Sequence, residues 1–173
     1  MTVTLVQPYN LAWPTWFDEI RRMLAEGLGD ACLRIEHVGS TSIPGMIAKP
    51  IIDIDVVIAP GTFAATKERL ERLGYIHEGE KGIPTREAFD LVNEELGTRL
   101  PKHHLYVCAE DSPELARHLA FREFLKRHAE YREKLGQLKW ALAEQYDNDK
   151  YPYMDGKAEL VLEIIALAQR EQG

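Results

Sequence analysis

HVGSTSIPGMIAKPIIDIDVVI, residues 37–58, couples a turn of small residues to an apolar strand that carries two aspartates. Gly39 to Gly45 mixes glycine, serine and threonine with Pro44, which lacks a backbone N–H and so bars regular pairing there. Pro50 to Ile58 is nearly continuous in Ile and Val, the pattern of a strand covered on both faces. Side chains alternate along a strand, so Asp53 and Asp55 share one face while Ile52, Ile54 and Val56 take the other. Two carboxylates on one face of an apolar strand repel each other, at several kcal/mol per buried ion, unless a cation or hydrogen-bond donors compensate. A divalent metal is the natural partner. Magnesium fits best, because it takes one or two carboxylates and completes its octahedron with waters and phosphate oxygens. A nucleotide would bring those phosphates.

The turn supplies what a nucleotide needs. Gly39 has no side chain to keep backbone N–H groups from phosphate oxygens, the Ser40 hydroxyl adds a donor, and Thr41 and Ser42 extend the set. Lys49, just before the aspartate strand, and His37 bring positive charge toward a triphosphate, and both read equally as solvated residues. Paired aspartates alone also read as loop caps or surface charge, and a Gly-Ser turn alone is weaker still. The combination, with twelve residues between Ser40 and Asp53, points to a nucleotidyltransferase-type site.

Upstream, Trp13, Trp16, Phe17, Ile20, Met23 and Leu24 fall at helical spacing before Gly27 and Gly29, predicting an amphipathic helix with its aromatics in the core. Leu33 to Val38 reads as a strand. Downstream, residues 62–73 read as a helix ended by Gly74, and Tyr75 to His77 starts an extended piece. One strand is expected near residues 86–92 between loops, and another over His103 to Cys108. Glu114 to Arg127, Tyr131 to Tyr146 and Lys157 to Arg170 read as three helices, with Tyr153 in the segment entering the last. No repeat, low-complexity tract or linker interrupts the order, so a single domain over residues 1–173 is expected.

A chain of 173 residues, 45% hydrophobic and 28% charged, has ordinary globular usage and buries roughly 70% of its unfolded surface at that length. A net charge of −7 argues against a general nucleic-acid coat, which needs clustered Lys and Arg to release counterions. Cys32 and Cys108 stand apart, without CxxC or HxxxH company, and read as buried small hydrophobes rather than a disulfide or zinc ligands. With no signal peptide and no run of about 18 apolar residues, the cytoplasm is the expected compartment and no membrane partner is expected.

The Gly-Ser turn followed by D-x-D resembles the nucleotidyltransferase superfamily, and HVGSTSIPG with AKPIIDIDV resembles the GrpB family in particular. The likeness runs on through KHHLYVC at 102–108, FREFL at 121–125 and the Tyr153 to Lys157 spacing. It implies an α/β (α+β) fold, with a nucleotidyltransferase-like mixed β-sheet core, flanking helices and a helical C-terminal part. It also implies pocket positions at Gly39, Ser40, Asp53, Asp55, His104, Arg122, Lys139, Tyr153 and Lys157, with Leu135 standing where a tyrosine is expected. Arg122, Lys139 and Lys157 read as a basic wall over the phosphates or as charges on solvated helix faces. Active superfamily members carry a third carboxylate on a later strand, where this chain offers His104. A neutral imidazole can act as general base there, but it does not replace an anionic magnesium ligand. His104 also reads as a half-buried, hydrogen-bonded histidine, and His103 should face elsewhere. Two functions follow from the resemblance. One is nucleotidyl transfer from a nucleoside triphosphate to an unknown acceptor; the other is a noncatalytic nucleotide- or coenzyme A-binding module like the one fused to dephospho-CoA kinase, with a link to coenzyme A synthesis.

Overall fold

The computed structural model describes residues 2–172. Backbone contacts divide these into two compact units: a sheet unit of Ala12–Val38 with Ile51–Ala116, and a helical unit of the remaining described residues.

The sheet unit opens with helix α1 (Trp13–Leu28), which buries Trp13, Ile20, Leu24 and Leu28 at the spacing of one helix face. Trp16 and Phe17, expected in the core, are only half-buried. Strands β1 (Arg34–Val38) and β2 (Ile52–Ile58) follow, then α2 (Phe63–Leu73), β3 (Tyr75–Gly79), β4 (Glu87–Leu91), a short α3 (Glu94–Arg99) and β5 (His103–Ala109). The strand order is β1-β2-β5-β4-β3. β2 and β5 run parallel, and the other neighbours pair antiparallel, so the sheet is mixed. α1 and α2 cover one face: Phe17 stacks on His37 at 4.7 Å, and Phe63 lies 5.2 Å from His77 and 6.1 Å from Phe89. The Ile and Val side chains of β2 fill the core as their run predicts, all below 4% exposed.

Gly74 ends α2 with φ +104, and a Cβ there would lie 2.4 Å from Asn93 Cβ, so only glycine fits. Asn93 in turn caps α3, its side chain accepting from Leu96 N at 3.0 Å. Sequence reading places a loop over α3, because the helix buries no residue, carries Gly97 and has no apolar stripe to detect. Cys108 is buried as expected, whereas Cys32 is half-exposed beside the Gly29–Ala31 turn, so its reading as a buried hydrophobe does not hold.

The helical unit holds most of α4 (Pro113–Arg127), with α5 (Ala129–Gln145) and α6 (Lys150–Gln172). Ile43, Met46, Phe124, Leu125, Leu135 and Ile164 form its main core. Leu135, the position where the resemblance calls for a tyrosine, is fully buried there. The last helix starts at Lys150 rather than Lys157, since Pro152 sits in its first turn, where a missing N–H removes no helical bond. Tyr153 is therefore inside the helix, 1% exposed, and not in an entry segment. No helix among the described residues is long and apolar enough to cross a membrane.

Candidate functional site

Cross-strand partners share a face of a sheet, and the register brings one polar group together in the sheet unit. β1 pairs Glu36 with Asp55, and β2 pairs Asp53 with His104 and Asp55 with Tyr106. Asp53, Asp55, His104, Tyr106 and Glu36 therefore project from the face opposite Ile52 and Ile54. Asp55 is 0% exposed. The Asp53 side chain is 33% exposed, and its Oδ1 lies 3.1 Å from His104 Nδ1, on an imidazole that is 52% exposed. A carboxylate only accepts, so the geometry assigns the proton to Nδ1 and leaves the Nε2 lone pair open. His103 points the other way, with Nε2 2.7 Å from the Tyr75 hydroxyl and Nδ1 2.8 Å from the Pro101 carbonyl.

The aspartates set the local field. Burial pushes the Cys108 thiol up to about 12, and the Asp55 charge pushes in the same direction. The Tyr106 hydroxyl is raised first by its burial, then by Asp53, against the opposing charge of Arg86. Paired carboxylates, one sealed and one open to solvent, are the oxygen donor set a hard divalent cation takes, with waters or substrate oxygens completing the shell. Among the described residues no group of three or more His, Cys, Asp or Glu converges as a closed metal cage.

The helical unit holds the turn and the basic residues. Gly39 adopts φ +74 with ψ −176, a conformation open to glycine alone, and Ser40–Ser42 then form a single tight turn. Ser42 N donates to the Gly39 carbonyl at 3.1 Å, and the Ser42 hydroxyl donates to the same oxygen. Thr41 is buried. Lys139, 2% exposed, donates from Nζ to Ser40 Oγ at 2.7 Å and to the Ile47 carbonyl at 3.1 Å. It is no solvated-face charge: it ties α5 to the turn. Lys49 and Lys157 place their Nζ atoms 5.3 Å and 5.1 Å from the Tyr153 ring centroid, so two cations flank one aromatic. Burial raises the Tyr153 phenol, which stays protonated. Arg122 Nε meets its neighbour Glu123 at 2.9 Å.

Two residues of the polar face escaped sequence reading. Glu36 stands opposite Asp55 only because of the antiparallel register, which one strand's pattern does not disclose. Arg86 follows a loop of glycine and proline, and its guanidinium lies 4.2 Å over the Tyr106 ring.

Residues 3–167 match the family model described as GrpB protein. This chain belongs to the GrpB family. Its GrpB relatives include the UPF0157 protein YqkA of Bacillus subtilis, 34% identical over 154 residues that cover 88% of this chain and 43% of YqkA. The UPF0157 protein BH1888 of Halalkalibacterium halodurans is 31% identical over 169 residues, covering 96% of this chain and 83% of that protein. This GrpB chain thus spans less than half of one relative and most of another. The crystal structure of GrpB from Enterococcus faecalis superposes with a TM-score of 0.82 at 31% identity, covering 96% of this chain and 98% of that one. Cid1 poly(U) polymerase, in a crystal structure of its H336N mutant bound to MgATP, gives a TM-score of 0.53 at 9% identity over 77% of this chain and 42% of that one. The GrpB fold is therefore nucleotidyltransferase-like, as the sequence leads one to expect. A shorter stretch, 74 residues or 41% of this chain, is 38% identical to 17% of a dephospho-CoA kinase from Mycolicibacterium paratuberculosis.

Proposed function

We propose that this GrpB-family chain is a magnesium-dependent nucleotidyltransferase, moving a nucleoside monophosphate from a nucleoside triphosphate to a hydroxyl-bearing acceptor. The observation that carries the reading is the pair Asp53 and Asp55 on one face of β2, with Asp55 fully buried and His104 at 3.1 Å from Asp53. Asp53 and Asp55 would hold the metal, which when bound neutralises charge on phosphate oxygens. Within the helical unit, the N–H groups of the Gly39 turn and the Ser40 hydroxyl are donors suited to phosphate oxygens, and Lys139, held on Ser40, fixes that hydroxyl and adds positive charge. Lys49 and Lys157 beside Tyr153 extend the positive set. His104 Nε2 takes the proton of the acceptor hydroxyl, whose oxygen forms the new bond to the α-phosphorus as the bond to pyrophosphate breaks. Positioning and charge neutralisation supply most of the rate enhancement in such chemistry.

Thermal unfolding with ATP, GTP, CTP and UTP, each with and without magnesium, tests the reading on the natural chain and on Asp53→Asn. A magnesium-dependent rise in midpoint that the variant loses supports it through linkage. No shift at millimolar nucleotide sinks it.

A second reading draws on the stretch similar to a dephospho-CoA kinase and on His104 at the place of a third carboxylate. In it the chain is a nucleotide- or coenzyme A-binding module without turnover. A midpoint raised by coenzyme A, with no pyrophosphate released from any bound nucleotide, favours this second reading over the first.

A further inference from the structure

We propose that Arg86 and Tyr106 form an oxyanion-binding subsite for the acceptor, and that the acceptor is a small hydroxyl compound bearing a carboxylate or a phosphate monoester; this rests on the transferase reading above. The loop before β4 places Arg86 by strain. Thr85 has φ +67, an uncommon backbone for a β-branched residue. Three contacts hold it there. Its N–H donates to Glu80 Oε2 at 2.6 Å, its Oγ1 lies 2.9 Å from the Ser112 hydroxyl, and that hydroxyl donates to the Thr85 carbonyl at 2.9 Å. Ser112 is itself buried, so the anchor is part of the packed unit and not a loose loop contact.

Arg86, the next residue, places its guanidinium carbon over the Tyr106 ring, 4.2 Å from the centroid. Its Nε is buried and meets no hydrogen-bond partner among the described residues. Four carboxylates of the unit meet other side chains: Glu36 meets Arg34 at 3.0 Å, Glu78 meets Lys81 at 3.5 Å, Glu87 meets His77 at 2.7 Å and Asp53 meets His104 at 3.1 Å. A guanidinium held over an aromatic is suited to a carboxylate or phosphate, which its terminal N–H groups meet as paired donors.

Arg86, Tyr106 and His104 line one groove of about 460 Å³, within the range of small-molecule sites. His104 and Tyr106 are two residues apart on β5, so their side chains stand about 7 Å apart on one face. A ligand whose oxyanion sits on Arg86 and whose hydroxyl reaches His104 therefore needs a backbone of only a few atoms. The groove assigns His104 the proton-accepting end and Arg86 the selecting end.

Calorimetric titration of the whole chain, without nucleotide, with glycerol 3-phosphate, glycerate and glycerol tests this. Expected is binding of at least one of the two anions, at least tenfold tighter than glycerol, and a tenfold or greater loss of that binding in Arg86→Gln. The tighter of the two anions identifies whether phosphate or carboxylate is the preferred group. Arg86→Lys, which keeps the charge but loses the fork, should bind at an intermediate level, and it carries the test if Arg86→Gln does not fold. Equal binding of anions and glycerol, no anion binding by the natural chain, or unweakened binding in both Arg86 variants overturns the proposal. Failure of the transferase reading shows separately, as a missing magnesium-dependent nucleotide shift while anion binding persists.

Discussion

The two faces of the sheet are built from alternate residues of the same strands and do opposite things. On β5, His103 turns toward the helix-covered side and is satisfied by Tyr75 and Pro101, whereas His104 turns to the other face and meets Asp53. On β2, Ile52, Ile54 and Val56 are sealed on one side while Asp53 and Asp55 gather negative charge on the other. Burying an Ile or Val stabilises by about 1.5–3 kcal/mol, whereas a buried carboxylate beside a second one is destabilising unless compensated.

The largest effect that sharpens this contrast comes from Asp55→Asn. The change is isosteric and removes one of two adjacent charges, so if the proposed transfer holds, pyrophosphate release should fall on the order of 10³-fold, the rate equivalent of several kcal/mol of lost charge stabilisation. The urea midpoint of each variant is read alongside. A turnover equal to that of the natural chain would remove Asp55 from the chemistry. One position away, Ile54→Ala should do the reverse, lowering stability by about 2–5 kcal/mol through lost burial and a residual cavity, with turnover per folded molecule nearly unchanged. If Ile54→Ala matched Asp55→Asn in both measurements, the division of labour between the faces would fail.

The histidine pair divides in the same way on a smaller scale. His104→Ala should cost roughly 10²-fold in turnover, the usual range for a lost general base, and little stability because the side chain is half-exposed. His103→Ala leaves the buried Tyr75 hydroxyl without its partner and should cost about 1–3 kcal/mol of stability with turnover kept. Steady-state rates normalised to folded protein separate the two.

How much of this was legible follows from which contacts are local. The Ile and Val run of 50–58 and the rule of alternation were enough to put Asp53 and Asp55 on one face, and the same rule set His103 and His104 apart. Register was not legible, so Glu36 opposite Asp55 went unseen, and so did the bond from Lys139 to Ser40 across 99 positions of chain. α3 was missed because a cap at Asn93 holds it and no apolar stripe announces it. Arg86 was missed because its placement depends on the strained Thr85 and its Ser112 anchor, which no composition pattern encodes. Patterns of period two and 3.6 report burial; long-range polar contacts leave no period.

The smallest effect, and the one that tests the helix-covered face most directly, is the pH response of His103. Burial pulls this imidazole below its ordinary value of 6.5, the His104 charge pulls the same way, and the Pro101 carbonyl and Asp90 oppose. The folded chain therefore binds a proton at His103 less readily than the unfolded chain does. Above pH 6.5 neither state is protonated there and the contribution to stability is full. As pH falls below 6.5 the unfolded chain takes up its proton first, so stability drops, by at most about 1.4 kcal/mol per pH unit, until pH passes the lowered folded value. His103→Gln keeps an oxygen to accept from Tyr75 but does not titrate. Urea midpoints followed from pH 7.5 to 5 should decline less steeply in this variant than in the natural chain. Parallel declines would mean that the half-buried His103 takes up its proton as readily in the folded state as in the unfolded one, and the contrast between a neutral covered face and a charged open face would lose its clearest residue.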